Sequence, residues 1–190
     1  MTKPTPREKR TAARRRPGDP DRAELVARML RVDHAGEYGA KRIYAGQLAV
    51  LGKSGEAPVI RRMAEEEARH LAAFERLVAK RRVRPTLLQP LWHVAGYALG
   101  AGTALLGPAA AMACTVAVEE VIDEHYARQA ASLGEDEEEL RREIEDFRAQ
   151  EIAHKETGLA HGAAEAPAYE LLTGAVKAAS RLAIWLSTRL

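Results

Sequence analysis

Two Glu-x-x-His tetrads, Glu67 to His70 and Glu151 to His154, each follow a lone glutamate by a similar interval, 30 residues from Glu37 and 32 from Glu119. A carboxylate and an imidazole three residues apart share one helix face. Two such pairs, with one further Glu from each of two other helices, make the ligand shell of a two-metal carboxylate centre.

A single tetrad is an ordinary coincidence in a chain rich in glutamate, so placement carries the argument. Ile60, Met63, Glu67, His70, Leu71, Phe74, Leu77 and Val78 recur at steps of three and four, which sets the first pair inside an apolar helical stripe. Leu140, Ile144, Phe147, Glu151, His154 and Gly158 repeat the pattern. Glu37 lies on the stripe Val26, Leu30, Tyr44, Leu48, Leu51, and Glu119 on the stripe Met112, Val116, Ile122, Tyr126. Four carboxylates and two imidazoles therefore face inward.

An ionised carboxylate in an apolar interior costs several kcal/mol unless compensated, and four on one core repel each other further. Only Lys41, close to Glu37, offers a side-chain cation near these stripes, so the counter-charge expected is two bound metal ions. Mixed Glu and His ligation without thiolate favours iron or manganese; an all-oxygen set would have favoured calcium or magnesium. The competing structural reading is a snorkelling Glu or a hydrogen-bonded core His at each position. Two matching halves of three residues argue against it.

The positioning elements follow from the same repeat. Glu37 to Glu119 spans 82 residues and Glu67 to Glu151 spans 84, as if one helix pair had been used twice. Asp19-Pro20-Asp21 with Glu24 starts a helix over about 20–51, Pro58 opens a second, and Pro85 bounds its basic exit Arg81 to Arg84. Gly107-Pro108 precedes a third helix ending near Leu133, and the acidic run Glu135 to Glu139 suits the start of a fourth, which runs toward Gly162. A C-terminal helix follows Pro167. Gly36, Gly39 and Gly46 inside the first helix imply that a helix or a ligand approaches its backbone closely. The fold expected is all-α, a ferritin-like four-helix bundle of two helix pairs, with additional interfacial and C-terminal helices.

At 190 residues with 46% hydrophobic content, the chain suits one globular domain over 21–190. It divides into a first helix pair (21–84), an apolar membrane-associated connection (85–107), a second pair (108–162) and a C-terminal helix (167–190). Cys114 is the lone cysteine, which excludes an intrachain disulfide. Residues 1–22 hold eight Lys or Arg against three acids, a local +5 in a chain of net charge +2, so basicity belongs to a tail. Residues 1–20 read as a disordered basic arm, Arg-rich but without the Ser of a transit peptide.

Between Arg84 and Glu119 lie 34 residues without a formal charge. The stretch exceeds bilayer thickness, but Pro85, Pro90, Gly96, Gly100, Gly102, Gly107 and Pro108 interrupt it, which favours a hairpin or helix in the membrane interface over a span. The amphipathic C-terminal segment, with Leu171, Leu172, Val176, Leu182, Trp185 and Leu186, either caps the bundle or touches lipid.

The segments Arg31-Val-Asp-His-Ala-Gly-Glu-Tyr-Gly-Ala40, Arg42-Ile-Tyr-Ala-Gly46, Arg84-Pro-Thr86, Pro90-Leu-Trp92, Ala98-Leu-Gly-Ala-Gly-Thr103 and Thr115-Val-Ala-Val-Glu-Glu120 resemble those of the demethoxyubiquinone hydroxylases, the di-iron monooxygenases of ubiquinone biosynthesis. The resemblance covers Asp21 to Leu190. It implies a di-iron centre held by Glu37, Glu67, His70, Glu119, Glu151 and His154, with Glu67 and Glu151 bridging. The implied reaction is hydroxylation of a polyprenylated methoxy-benzoquinol by O2 and two electrons, with the electron donor left open. His125 and Tyr126 also match positions typical of the family.

A substrate that lives in the bilayer directs attention to the uncharged stretch, where Leu91, Trp92, Tyr97, Leu99 and Leu105 are expected to line a membrane-facing channel. Metal-bound imidazoles donate their free N–H to a neighbour, for which Asp33, Glu66, Asp123 and Gln150 are candidates, with His125 and Tyr126 nearby. The expected partners are membrane lipid, the quinol and O2, with self-association or a quinone-biosynthesis complex compatible and no nucleic acid. The expected location is the cytoplasmic face of a bacterial inner membrane, with the matrix face of the mitochondrial inner membrane as the alternative. Two other functions use related features: a rubrerythrin- or ferritin-like peroxide or iron-handling protein, and a non-catalytic quinone- or lipid-binding assembly partner.

Overall fold

Asp21 caps the first helix, its carboxylate accepting the Glu24 backbone N–H at 2.7 Å. Helix α1 then runs from Arg22 to Leu51, and after a turn at Gly52 to Glu56 the chain returns as α2 (Ala57–Lys80), with proline in its first turn. The computed structural model describes residues 20–190, so all of the basic arm but Pro20 lies outside the described residues. Helix α2 stops short of the basic exit: Arg82 adopts a left-handed φ of 53°, and Arg81 pairs with both oxygens of Glu137 at 2.8 and 2.6 Å. That ion pair ties the end of α2 to the turn at Glu135–Glu137 that leads into the last bundle helix.

The uncharged stretch forms one helix, α3 (Gln89–Leu105), laid along α1. Glycine permits the close crossing. A Cβ on Gly46 would overlap the Tyr97 carbonyl and lie 2.7 Å from the Ala101 nitrogen, and one on Gly100 would overlap the Ile43 carbonyl. Gly107, at φ 113°, turns the chain into α4 (Pro108–Ser132). A single 3-10 turn, Glu135–Glu137, leads into α5 (Glu138–Ala160), whose acidic first turn complements its positive end. Finally α6 (Tyr169–Ser187) packs on α4. Lys177 and Arg181 pair there with Glu120 and Glu124, the latter at 3.3 Å.

The architecture is thus all-α and ferritin-like: α1 with α2 and α4 with α5 form the two antiparallel pairs, and α3 and α6 flank α1 and α4. No strand occurs among the described residues. The two outer helices meet where Trp92 Nε1 donates to Ser187 Oγ at 3.0 Å. One apolar cluster, including Tyr44, Ile60, Met63, Met112 and Val116, fills one end of the bundle. A second, including Leu30, Phe74, Tyr126, Leu140 and Ile144, fills the other. Each such side chain contributes roughly 1.5–3 kcal/mol on burial. Along α1, α2 and α4 the ligand-type residues fall between these two clusters, and on α5 they follow Leu140 and Ile144 of the second, with Ala163 and Ala166 of the first beyond its end.

Candidate metal centre

The six side chains picked out by spacing converge at mid-bundle. Glu37, Glu67, His70, Glu119, Glu151 and His154 are each no more than 3% exposed. They form two overlapping groups, Glu37, Glu67, His70, Glu151 and Glu67, Glu119, Glu151, His154, with one ligand-type atom per residue within 4.8 Å of the others. Glu67 and Glu151 belong to both.

Both rings present Nδ1 inward. His70 Nδ1 lies 3.1 Å from Glu151 Oε1, and His154 Nδ1 lies 3.1 Å from Glu67 Oε1. Yet Glu37 Oε2, Glu67 Oε1, His70 Nδ1, Glu151 Oε2 and His154 Nδ1 are buried without an aligned hydrogen-bond partner. Buried polar atoms are nearly always satisfied, so lone pairs left over around one centre fit a metal pair.

The electrostatics agree. Burial, with the neighbouring carboxylates, pushes Glu67 and Glu119 well above the usual carboxylate range. Burial alone would lower both imidazoles, but the carboxylates around them win: His70 is pushed up to about 11 and His154 to about 12. Burial would also raise Glu151, but His154 and His70 hold it down to about 2. Four carboxylates in this interior demand positive charge, and protons supply it when no cation does.

Around the six lie their supports. His154 Nε2 is 2.6 Å from Glu66 Oε2, and His70 Nε2 is 3.1 Å from Gln150 Oε1. Tyr126 donates to Glu37, and Tyr44 donates to Glu119 at 3.2 Å. Asp33 serves neither ligand imidazole; buried, it accepts from His125 at 3.1 Å and from Gln129 at 2.7 Å. Asp123 accepts from Arg148 at 2.6 Å at the bundle surface. Tyr44 and Gln129 were not among the sequence candidates. Tyr44 had a legible signal: it stands seven residues after Glu37, as Tyr126 stands seven after Glu119.

A half-open apolar cavity of about 240 Å³ lies among α1, α3, α4 and α6, lined by none of the six side chains themselves. Its wall includes Gly36 and Val118, the residues preceding Glu37 and Glu119. Of the expected channel residues, Trp92 and Leu99 line it, whereas Leu91, Tyr97 and Leu105 do not and face outward. In their place stand Gly39 and Ile43 of α1 and Ala179, Ser180, Ala183 and Ile184 of α6. The glycines of α1 thus differ in what they face. Gly46 admits a helix, and Gly36 and Gly39 border an apolar space.

Four antiparallel helices around a buried Glu and His cluster able to hold metal define the class of ferritin-like carboxylate proteins. Within it, this chain belongs to the family described as "Ubiquinone biosynthesis protein COQ7", which matches residues 24–187. It is 59% identical over 182 residues to the 3-demethoxyubiquinol 3-hydroxylase of Rhodospirillum rubrum, covering 95% of this chain and 86% of that protein. It is 56% identical over 168 residues to the mitochondrial NADPH-dependent 3-demethoxyubiquinone 3-hydroxylase of Mus musculus, covering 86% and 77% respectively. The mitochondrial 5-demethoxyubiquinone hydroxylase of Saccharomyces cerevisiae is 40% identical over 185 residues, covering 88% and 79%.

Proposed function

We propose that this chain is a di-iron monooxygenase that hydroxylates the ring of a polyprenylated demethoxyubiquinol in ubiquinone biosynthesis. The observation that carries the reading is the buried cluster of four Glu and two His able to hold metal, with an apolar cavity lined by Gly36 and Val118, the chain neighbours of Glu37 and Glu119. In this reading Glu37 and His70 would hold one iron and Glu119 and His154 the other, with Glu67 and Glu151, which belong to both groups, available to each. Nitrogen and carboxylate donors without thiolate suit iron. Such a pair would supply O2 activation, with two electrons from an external reductant and two protons, so that one oxygen atom would enter the ring and the other would leave as water.

The chain's own residues do the rest. Tyr44 and Tyr126 fix the outer carboxylates, and Glu66 and Gln150 fix the imidazole planes. Aliphatic and glycine walls, with Gly36 and Val118 next to Glu37 and Glu119 in the chain, offer an aromatic ring an apolar site. The two serines at the α6 wall are its hydroxyl groups, and Ser187 is engaged by Trp92.

Substrate access follows from the outer surface. Leu91, Val94, Leu105, Leu106, Leu182 and Trp185 are all more than half exposed, and they sit on α3 and α6 or at their ends, the two helices that roof the cavity. Among the described residues no helix is long and apolar enough to cross a membrane. We therefore assign residues 85–107 as a connection that lies on the bilayer, with Leu91, Tyr97 and Leu105 touching lipid at the rim while Trp92 and Leu99 face the substrate. The resulting peripheral placement suits the inner face of a bacterial cell membrane, and 21–84, 108–162 and 167–190 form one functional unit with this connection. An apolar surface of this kind has no use in a peroxide- or iron-handling bundle.

The test is rescue of a ubiquinone-deficient strain that accumulates the demethoxy precursor. The intact chain is expected to restore growth on a respiratory substrate, and Glu151→Ala is expected to fail. Equal rescue by both would exclude metal-dependent hydroxylation.

A further inference from the structure

The outer partners of the two ligand-type histidines are related by the internal repeat but differ in charge. Glu66 immediately precedes Glu67 on α2 and reaches across to His154 of α5; Gln150 immediately precedes Glu151 on α5 and reaches back to His70 of α2. The arrangement is reciprocal, with Nδ1 of each ring turned inward and Nε2 turned out. The contact on the acidic side is 2.6 Å, short as expected for an acceptor that carries charge, and on the amide side 3.1 Å. The Gln150 amide is oriented by its own Nε2, which donates to the Asp146 carbonyl at 3.4 Å and leaves Oε1 for the ring.

The surroundings repeat the difference. The His70 ring packs against Phe147 with centroids 4.3 Å apart, and Phe147 in turn meets Phe74 edge-on at 5.5 Å. On its outer side His70 thus meets an amide and an aromatic ring. Glu66 is 27% exposed, and its nearest cation, Arg69, stands 3.7 Å from the other oxygen on the open surface, too far and too solvated to cancel the carboxylate.

We propose that Glu66 and Gln150 make the two metal positions unequal, with the His154 position the tighter and the His70 position the weaker and more readily exchanged. This rests on the two-metal reading given above and adds an order of occupancy to it. A carboxylate accepting the Nε2–H pushes electron density into the ring, strengthens Nδ1 as a donor and places one more negative charge near the cation. A neutral amide fixes the ring plane without that charge. Both are positioning residues: they act through the histidines and touch neither substrate nor O2.

The experiment is an anaerobic titration of the metal-free full chain with cobalt(II), followed by visible absorption and by calorimetry. Wild type is expected to take up two ions per chain in two resolved steps. Glu66→Gln, which keeps the shape and the hydrogen bond but removes the charge, is expected to weaken the tight step by roughly 10- to 100-fold and to leave the weak step unchanged. Gln150→Glu is expected to tighten the weak step and to leave the tight one. A single step for two ions in wild type would overturn the proposal. So would Glu66→Gln acting on both steps alike, or Gln150→Glu moving neither. Helical circular dichroism of both variants separates these results from misfolding, and the two substitutions act in opposite directions, which general damage cannot do. Fewer than two cobalt ions per wild-type chain would instead sink the two-metal reading itself, a distinguishable failure.

Discussion

Tyr44 of α1 donates its hydroxyl to Glu119 of α4 at 3.2 Å, and the relationship has a twin, because Tyr126 of α4 donates to Glu37 of α1. Each tyrosine stands seven residues, two helical turns, after the glutamate of its own helix and binds the glutamate of the other. The pair stitches α1 to α4 across the centre.

Removing either hydroxyl leaves a buried carboxylate oxygen without its donor while preserving the ring that packs the core. Tyr44→Phe and Tyr126→Phe are each expected to lower stability by about 1–3 kcal/mol. Denaturant midpoints should fall with unchanged slopes. A midpoint unmoved in both variants would show that these bonds hold nothing in place.

Gly39 separates cavity from core. It lines the cavity, and a Cβ built on it meets nothing within 4 Å. Gly39→Ala is expected to raise stability by about 0.5–1 kcal/mol, the usual gain inside a helix. Gly39→Phe fills the cavity and is expected to lower kcat/KM for the quinol by roughly 10-fold or more, with metal content intact. Full activity in Gly39→Phe would place the substrate elsewhere.

Gly100 behaves oppositely. Its added Cβ would overlap the Ile43 carbonyl, a backbone atom that cannot swing away. Gly100→Ala is expected to cost about 3 kcal/mol and to part α3 from α1. Hydrogen exchange should rise along Gln89–Leu105 first, and protection unchanged there would contradict the close crossing.

The protonated cluster gives the metal-free chain a distinctive pH dependence. Glu67 and Glu119 are raised above 4.5 by burial and carboxylate neighbours, while His70 and His154 are raised from 6.5 to about 11 and about 12 despite burial. All four hold more protons folded than unfolded above their ordinary values, so stability falls as pH rises. Glu151, lowered from 4.5 to about 2, works in the opposite sense only within that acidic window. Metal-free Tm should therefore decline from pH 6.5 upward, while the metal-loaded chain resists the decline because ion binding expels those protons and strengthens with pH. A metal-free Tm that climbs over the same range would refute this account of the cluster.

The ligand-type residues were legible in the sequence because period and spacing are local properties: a Glu and a His at i and i+3 inside an apolar stripe fix a shared face before any packing is known. What lies opposite that face is not local. Asp33, Glu66, Asp123 and Gln150 stood as equal candidates, and only the approach of α2 to α5 gives Glu66 and Gln150 to the histidines while Arg148 engages Asp123 and His125 engages Asp33. The channel shows the same limit. Apolar character marks the segment without saying which residues border the cavity: Trp92 and Leu99 point in and Leu91, Tyr97 and Leu105 out, according to how α3 is rolled on α1 by Gly46 and Gly100. The α6 wall is silent in the sequence because Ala179, Ser180 and Ala183 carry no chemical signal beyond being small.

The most direct measurement is the fate of labelled oxygen. The iron-loaded chain, given a demethoxyubiquinol in vesicles, reducing equivalents and 18O2, should yield a ring hydroxyl that carries one 18O atom by mass spectrometry, and Glu151→Ala should yield none. An unlabelled product, or a labelled one formed equally by Glu151→Ala, would contradict oxygen activation at this centre.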